Sequence, residues 1–166
     1  MLVWSKEEFR ELYDDYVDMI YRICFLYLKN ESDAKDGVQD IFMKIWEKQP
    51  VFDNENHKKA WLIQTTKNHC IDILKSSWWS KRTELEDWQE PMTEVEPTEN
   101  PLLEYVMKMP QKYREVIYLY YYEEYSVREM SGILKRNEST IQSQLSAGRE
   151  KLKRILELEG RDFLYG

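Results

Sequence analysis

One stretch near the middle of the sequence carries side chains suited to binding a nucleic acid. Six hydrogen-bonding residues in a row, Gln64 to His69, interrupt a helical pattern that is otherwise apolar. A fully buried helix could not hold this run, because each buried polar group needs a partner. Cations that attract phosphates and flat rings that stack on bases surround it, as in sites for single-stranded nucleic acid: Lys58, Lys59, Lys67, Lys75, Lys81, Arg82, Trp61, Trp78 and Trp79. The alternative is that the tryptophans, Trp61 above all, belong to the core.

A second stretch, Ser126 to Ile155, has the pattern of two short helices separated by a polar break. Ser126 and Glu129 have the spacing of a capping box, and Asn137 is a favourable residue to cap the next helix. Apolar residues then recur every three or four positions, at Ile141, Leu145, Gly148, Leu152 and Ile155. This pattern predicts a helix-turn-helix, whose second helix enters the major groove of DNA. The same periodicity would also suit an ordinary helical hairpin in a bundle.

The charge of the chain is unevenly distributed. The net charge of −7 argues at first against nucleic acid, yet residues 58–82 carry six basic side chains and one acidic one. Residues 126–154 carry seven basic and three acidic side chains, whereas residues 83–104 carry eight acidic and no basic ones. Local patches decide phosphate contact more than the total does. The sequence therefore predicts two basic surfaces separated by an acidic segment.

The elements that position these residues are predicted to be helices. Helical spacing runs from Ser5 to Leu28, through Ala34 to Trp46 after a turn at Lys29 to Ser32, and from about His57 to Trp79 after a loop at 49–56. Pro110 is well placed in the first turn of a further helix, and residues 156–166 are expected to fray. We predict an all-α fold of two small domains. These are an N-terminal helical bundle at residues 1–82 and a C-terminal helix-turn-helix domain at 105–166, joined by an acidic linker at 83–104.

Catalytic chemistry is not indicated. His57, His69 and Cys70 lack metal-ligand spacing, and neither a phosphate-binding glycine loop nor a nucleophile elbow is present. Cys24 and Cys70 fall within helical patterns and are expected to be buried thiols. Apolar runs are too short to cross a bilayer, and the N-terminus lacks the pattern of a signal region. We therefore expect a cytoplasmic protein that is not an enzyme, needs no metal or cofactor and does not insert directly into a membrane.

The two domains resemble the extracytoplasmic-function (ECF) sigma factors, which are initiation subunits of bacterial RNA polymerase. The first domain resembles their region two, with FRELYDDYVDMIYRI, DAKDGVQDIFMKIWE and AWLIQTTKNHCIDILK as its three helices. The second resembles region four, with MPQKYREVIYLYYYEEYSVREMSGILKRNESTIQSQLSAGREKLKRIL. Both blocks in this order, joined by a short acidic segment, make the resemblance specific over nearly the whole chain.

The resemblance implies a function and a set of partners. A protein of this family directs core polymerase to specific promoters, melts the minus-ten element and starts transcription, and many relatives are inhibited by a membrane-bound anti-sigma factor. Residues implied to bind core polymerase are Asp33, Asp36, Gln39, Asp40 and Lys44. Those implied to bind the minus-ten strand are Lys58, Lys59, Trp61, Lys67, Asn68 and Lys75, with a flipped base held by the loop before Trp61. Those implied to bind the minus-thirty-five element are Lys135, Arg136, Ser139, Thr140, Gln142, Ser143, Arg149 and Lys153.

Some residues depart from the family pattern. Lys135 and Arg136 stand where relatives usually have Gly and an apolar residue, while Gln142 and Gln144 stand where Lys or Arg is common. Because glutamine carries no charge, phosphate contact is expected chiefly from Lys135, Arg136, Arg149 and Lys153. Two alternatives remain open at this point: a stand-alone helix-turn-helix regulator and a non-DNA-binding adaptor protein.

Overall fold

A computed structural model describes residues 4–79 and 101–158 of the chain. Within these residues the regular structure is entirely α-helical, which confirms the predicted fold class. The chain divides into two compact units, Met1–Met92 and Thr93–Gly166. Lys81, Arg82 and linker residues 83–100 lie outside the described residues, as do the side chains of Trp78 and Trp79. The helices are α1 (Lys6–Leu28), α2 (Glu31–Lys48), α3 (Glu55–Trp79), α4 (Pro101–Met107), α5 (Gln111–Tyr121), α6 (Val127–Leu134) and α7 (Glu138–Leu158).

The first unit packs α1, α2 and α3 against one another around a core of aliphatic side chains. The helix boundaries follow from their caps. The Ser5 hydroxyl accepts the amide of Glu8 at the start of α1, and the Asn30 side chain accepts the amide of Asp33 at the start of α2. The turn between these helices is only Lys29 and Asn30, two residues shorter than predicted, and α3 begins two residues before His57.

Both cysteines lie in this core, on α1 and α3. Cys24 and Cys70 are free thiols with no solvent exposure. A hydrogen bond with Cys24, together with burial, raises the pKa of the Cys70 thiol far above its usual range. Reactive cysteines are thiolates in partly exposed surroundings, so these two act as small apolar core residues, as predicted.

The second unit contains one helix that the sequence reasoning missed. Helix α4 begins at Pro101, inside the range assigned to the acidic linker, and buries Tyr105, Val106 and Met107. The signal was a proline at the first helical position followed by apolar residues. This signal was overlooked because the acidic composition of the preceding segment favoured a linker. The far end also differs from the expectation of fraying, since α7 continues to Leu158 and Leu156 is 2% exposed.

The predicted helix-turn-helix is present as α6 and α7. At the start of α6 the Ser126 hydroxyl accepts the amide of Glu129, while the Glu129 carboxylate accepts the amide of Ser126. This reciprocal pair confirms the predicted capping box. Helix α6 ends at Leu134, and the next residue, Lys135, has a left-handed conformation with φ 56°, where a glycine is usual. The apolar stripe of α7 faces inward, and Ile141, Leu145 and Leu152 are among its buried residues.

Gly148 lies where α7 passes closest to α5. A Cβ atom at Gly148 would stand 3.0 Å from Cγ1 of Ile117, which is itself buried. At Gly132, on the exposed side of α6, a Cβ atom would meet nothing within 4 Å. Both glycines cost a helix about 1 kcal/mol relative to alanine. The two glycines therefore form a matched pair of sites for substitution by alanine, one in open space and one in close contact with α5.

We predict that Gly132→Ala stabilises the second unit by about 0.5–1 kcal/mol, because only the helix propensity changes. We predict that Gly148→Ala destabilises it by about 1 kcal/mol, because overpacking costs roughly 1–3 kcal/mol and outweighs the same gain. Urea unfolding followed by far-ultraviolet circular dichroism measures both effects. Equal stabilisation by the two substitutions would show that α5 and α7 do not pack closely at Gly148.

In the part of the chain that the structure describes, no helix is both long enough and apolar enough to cross a membrane.

Candidate nucleic-acid interface

The polar face of α2 turns away from the helical core. Asp36 and Gln39 are exposed near its middle. Asp33 belongs to the helix cap, because its carboxylate accepts a bond of 2.7 Å from the Asn30 amide. Asp40 extends to α3, where its Oδ2 lies 3.2 Å from Nε2 of His69. Of the residues predicted to bind a protein partner, Asp36 and Gln39 are therefore the most openly placed, and Lys44, one turn after Asp40, is half-buried.

An apolar groove adjoins this face between α1 and α2. It has a volume of about 570 Å³, and Gln39 forms part of its wall. Met43 and Tyr13 line it with exposed fractions of 63% and 42%, which are high for such large apolar side chains. The ring of Tyr13 packs against that of Phe42, with 4.7 Å between the ring centroids, and the side chain remains partly open to solvent.

The polar run of α3 is divided between the protein interior and the surface. Thr66 is fully buried, and its hydroxyl donates to the carbonyl of Leu62 at 2.7 Å. His69 is held by Asp40 on α2. Asn68 is exposed and Lys67 is half-buried beside it. The inward side chains of the run are therefore hydrogen-bonded within the fold. Asn68, with Lys67 beside it, lies on the solvent-facing side of α3, as the polar run predicted.

The first turns of α3 are tied to the loop before them and to α1. Glu55 binds the ammonium of Lys58 at 2.9 Å and accepts the Tyr16 hydroxyl at 2.8 Å, and these bonds lower the pKa of its carboxyl group. Trp61 is half-buried and packs edge to face on Phe52 at 5.5 Å. Lys58 is therefore already paired, while Lys59 is half-buried and Lys75, towards the other end of α3, is exposed.

A cavity of about 410 Å³ opens beside this loop. Pro50, Val51 and Phe52 supply its loop side, and Lys58 lies at its edge. The α1 side is acidic and comprises Glu8, Glu11 and Asp15. No sequence pattern indicated this cavity, because its two walls are more than thirty residues apart in the chain.

The break between α6 and α7 is closed by an arginine that points into the second unit. The Arg136 guanidinium pairs with the carboxylate of Glu115, whose side chain is only 1% exposed, and donates to Gln144 Oε1 at 3.1 Å. The Arg136 carbonyl accepts the Ser131 hydroxyl at 2.5 Å. A charge bound to a buried carboxylate is not available to a phosphate. These contacts argue for a structural role of Arg136 in place of the predicted phosphate contact.

The outer face of α7 carries the remaining predicted residues of this unit. Ser139, Thr140, Gln142 and Ser143 are exposed at its beginning. Arg149 is exposed further along, where Nε donates to the Tyr121 hydroxyl at 2.7 Å and the guanidinium lies 5.2 Å from the Tyr120 ring centroid. Aromatic residues of α5 thus hold this cation at the edge of α7. Lys135 and Lys153 are exposed without a contact that fixes their direction.

Comparison with protein families matches both units. Residues 12–80 match the family model described as Sigma-70 region 2, and residues 99–152 match the model described as Sigma-70, region 4. Together the two models cover more than half of the chain. ECF RNA polymerase sigma factor SigW of Bacillus subtilis is 27% identical over 169 residues, which span 92% of this chain and 90% of SigW.

The chain belongs to the ECF sigma factors of RNA polymerase. SigM of Bacillus subtilis, another ECF sigma factor, is 29% identical over 87% of this chain and 93% of its own length. Among solved structures, the sigma factor RpoE in complex with the anti-sigma factor NepR from Bartonella quintana superposes with a TM-score of 0.74. It has 20% identity, covering 91% of this chain and 98% of that one. CnrH in complex with the cytosolic domain of CnrY gives a TM-score of 0.65 at 19% identity, covering 93% and 90%.

In this sigma factor, region 2 comprises α1–α3 and region 4 comprises α4–α7. Region 4 also carries two lysines that the sequence reasoning did not assign to the site. Lys112 lines a groove of about 390 Å³ together with the early residues of α7. Lys151 is one helical turn beyond Ala147, a lining residue of that groove, and its ammonium lies over the ring of Tyr113, another lining residue. Lys112 precedes the start of α7 by more than twenty residues, so no local pattern connects it to the helix-turn-helix. Within residues 4–79 and 101–158, no cluster of three His, Cys, Asp or Glu side chains could hold a metal ion.

Proposed function

We propose that this ECF sigma factor binds core RNA polymerase through α2, captures the melted minus-ten strand on α3 and reads the minus-thirty-five duplex with α7. The observation that carries the proposal is the division of surfaces within region 2. Asp36 and Gln39 are exposed on α2, whereas Asn68 is exposed on α3 with the half-buried Lys67 beside it, so the two polar sets belong to different helices of one three-helix unit. We expect the α2 set to contact the protein partner and the α3 set to contact the DNA strand.

The structure supports a particular arrangement on α3. Strand capture needs exposed cations and hydrogen-bond donors beside a place where a base can leave the stack. Asn68 and Lys75 are exposed and supply the first, and Lys67 lies half-buried beside Asn68. The loop cavity beside Phe52 is the candidate place for a flipped base, since it combines an aromatic wall with carboxylate acceptors. As a sigma factor the chain acts as a DNA-binding initiation factor rather than as an enzyme, and we place it in the cytoplasm with the polymerase.

We also propose regulation by an anti-sigma factor. Two solved structures of the same fold are complexes: RpoE with the anti-sigma factor NepR, and CnrH with the cytosolic domain of CnrY. Neither relative is close enough in sequence to identify the partner of this chain. The expectation is therefore of a protein inhibitor that competes with polymerase, and in many members of the family such inhibitors are membrane-bound.

Transcription in vitro tests the proposed function. We expect the purified chain to bind core polymerase and to produce transcripts with defined start sites, which core polymerase alone does not produce. Asp36→Arg should lower affinity for core polymerase at least about tenfold, because it places a like or unpaired charge in the interface. Asp14→Arg, an exposed carboxylate on α1 that lies outside the proposed interfaces, is the matched control. A chain that bound duplex DNA specifically without polymerase, and ignored core polymerase, would be a stand-alone regulator.

A further inference from the structure

We propose that Lys112 and Lys151, both held on the ring of Tyr113, bind the phosphate backbone of duplex DNA on the flank of α7 that lies opposite Arg149. The inference rests on the proposed function, because it concerns the same duplex that region 4 reads. It adds two residues from outside the predicted site. It also explains how a recognition helix with neutral early residues can obtain the charge that DNA affinity requires.

The ammonium groups of Lys112 and Lys151 lie over the same aromatic ring. The ammonium of Lys112 lies 5.0 Å from the Tyr113 ring centroid, and that of Lys151 lies 5.2 Å from the same centroid. The two charges are therefore no more than about 10 Å apart, although they belong to different helices. Electrostatic attraction between an ammonium group and the face of an aromatic ring favours these positions of the two side chains. Tyr113 thus gathers two positive charges at one point of the surface.

Tyr113 and Lys112 border the surface at the start of α7 that is proposed to read DNA. Lys112 and Tyr113 form one wall of the groove whose other wall is Ser139, Thr140 and Ser143 at the start of α7. Hydroxyl groups are frequent partners of phosphate oxygens and of base edges. A DNA strand that followed this groove would meet hydroxyls on one side and ammonium groups on the other.

The helical period of α7 places Arg149 and Lys151 on opposite flanks of the helix. Successive residues of a helix are rotated by about 100°, so Arg149 and Lys151 project about 200° apart around the axis. The buried stripe of Ile141, Leu145 and Leu152 lies between them on the core side. On the outer side, Ser139 and Ser143 occupy the middle. A helix in the major groove has a phosphate backbone on each side, and α7 carries an aromatic-bound cation on each flank.

Neither Lys112 nor Lys151 is neutralised by an acidic side chain of its own helix. Lys151 has Ala147, Gly148, Arg154 and Ile155 at three and four positions away, none of them acidic. The acidic neighbour of Lys112 is Glu115, which is buried and engaged by Arg136. Arg154, by contrast, pairs with Glu150 at 3.7 Å. The pair on Tyr113 therefore keeps its charge for a partner.

The test uses the holoenzyme, formed from core polymerase and the full chain, on a promoter obtained by mapping start sites in vitro. The variant is Lys112→Ala with Lys151→Ala. Two lost phosphate contacts should lower the slope of log affinity against log salt by about 1.8, so that the deficit of the variant at 50 mM salt shrinks about tenfold by 200 mM. The loss should be the same for matched and mismatched minus-thirty-five sequences, since phosphates carry no sequence information. Replacing both lysines by arginine should restore the slope.

Two controls isolate the effect. Arg10→Ala with Lys48→Ala removes two exposed charges from region 2 and should leave the slope unchanged. A DNA probe that carries the minus-ten element but lacks the upstream duplex should bind the Lys112/Lys151 variant and the parent protein equally well. If the slope of log affinity against log salt is unchanged on the full promoter, the inference is overturned. Weaker binding to core polymerase with unchanged DNA affinity also overturns it, because that result would assign the lysines to a protein contact. If the parent holoenzyme itself binds no promoter, it is the proposed function that fails.

Discussion

Replacing Arg136 by alanine is expected to destabilise region 4 by about 3 kcal/mol, which is the lower end of the cost of breaking a buried ion pair by removing one partner. The cause is the carboxylate that remains. Glu115 is 1% exposed and would lose the guanidinium that balances its charge. Circular dichroism during urea unfolding measures the loss. Tryptophan fluorescence provides an internal reference, because all six tryptophans precede residue 89 and therefore report on the other part of the chain.

Arg149→Ala is the matched control for this prediction. It removes the same charge from an exposed position on the neighbouring helix, so stability should change by less than about 1 kcal/mol while promoter affinity falls. Replacing Glu115 and Arg136 together by leucine and methionine should recover most of the stability, since an apolar pair leaves no unpaired charge. Arg136→Ala protein that unfolded like the parent protein but bound DNA weakly would restore Arg136 to the phosphate contacts.

Replacing Lys67 and Asn68 together by alanine is expected to reduce open-complex formation about 30- to 100-fold. Each side chain is proposed to make a hydrogen bond or ionic contact with the melted strand, and two such contacts are worth about 2–3 kcal/mol. The buried Thr66 and the half-buried His69, which hold the polar run to the rest of the fold, are untouched, so the fold of α3 should persist. A fluorescent adenine analogue in the minus-ten element follows strand separation directly.

A promoter that is already unpaired at the minus-ten element separates strand capture from duplex binding. On this template the cost of unpairing, a few kcal/mol, is removed for both proteins. The contacts with the melted strand are still lost, so the affinity defect of the Lys67/Asn68 variant should persist at about the same size. Arg10→Ala, which removes an exposed charge on α1, should behave like the parent protein on both templates. A variant that opened the duplex promoter as fast as the parent protein would exclude this face of α3 from melting.

Much of the fold followed from the spacing of apolar residues and from caps. Ser5 and the Ser126–Glu129 pair marked helix starts correctly, because a capping bond depends on residues only three positions apart. Helix α4 was missed because seven residues provide too short a period to stand out beside an acidic segment. The inward end of α7 at Leu156 was missed for a different reason. Whether a terminal leucine is buried depends on which helices reach it.

The residues of the proposed interfaces were predicted with less precision than the helices that carry them. The sequence identified the basic, polar face of α3 and the outer face of α7, since helical periodicity assigns residues to faces. It could not distinguish Asp36, which is open, from Asp40, which is bound to His69. Nor could it distinguish Arg149 on the surface from Arg136, whose charge is engaged by Glu115 twenty-one residues earlier.

The amino-acid sequence by itself determined the helical class, the family and the order of its two regions, because these depend on short-range spacing and on motifs that are contiguous in the chain. Only the tertiary structure decided which charges are available to a partner. An ion pair between Arg136 and Glu115, or a tyrosine that gathers Lys112 and Lys151, joins residues that are far apart in sequence. Such contacts arise from the packing of α5 against α7, and no period of the sequence records them.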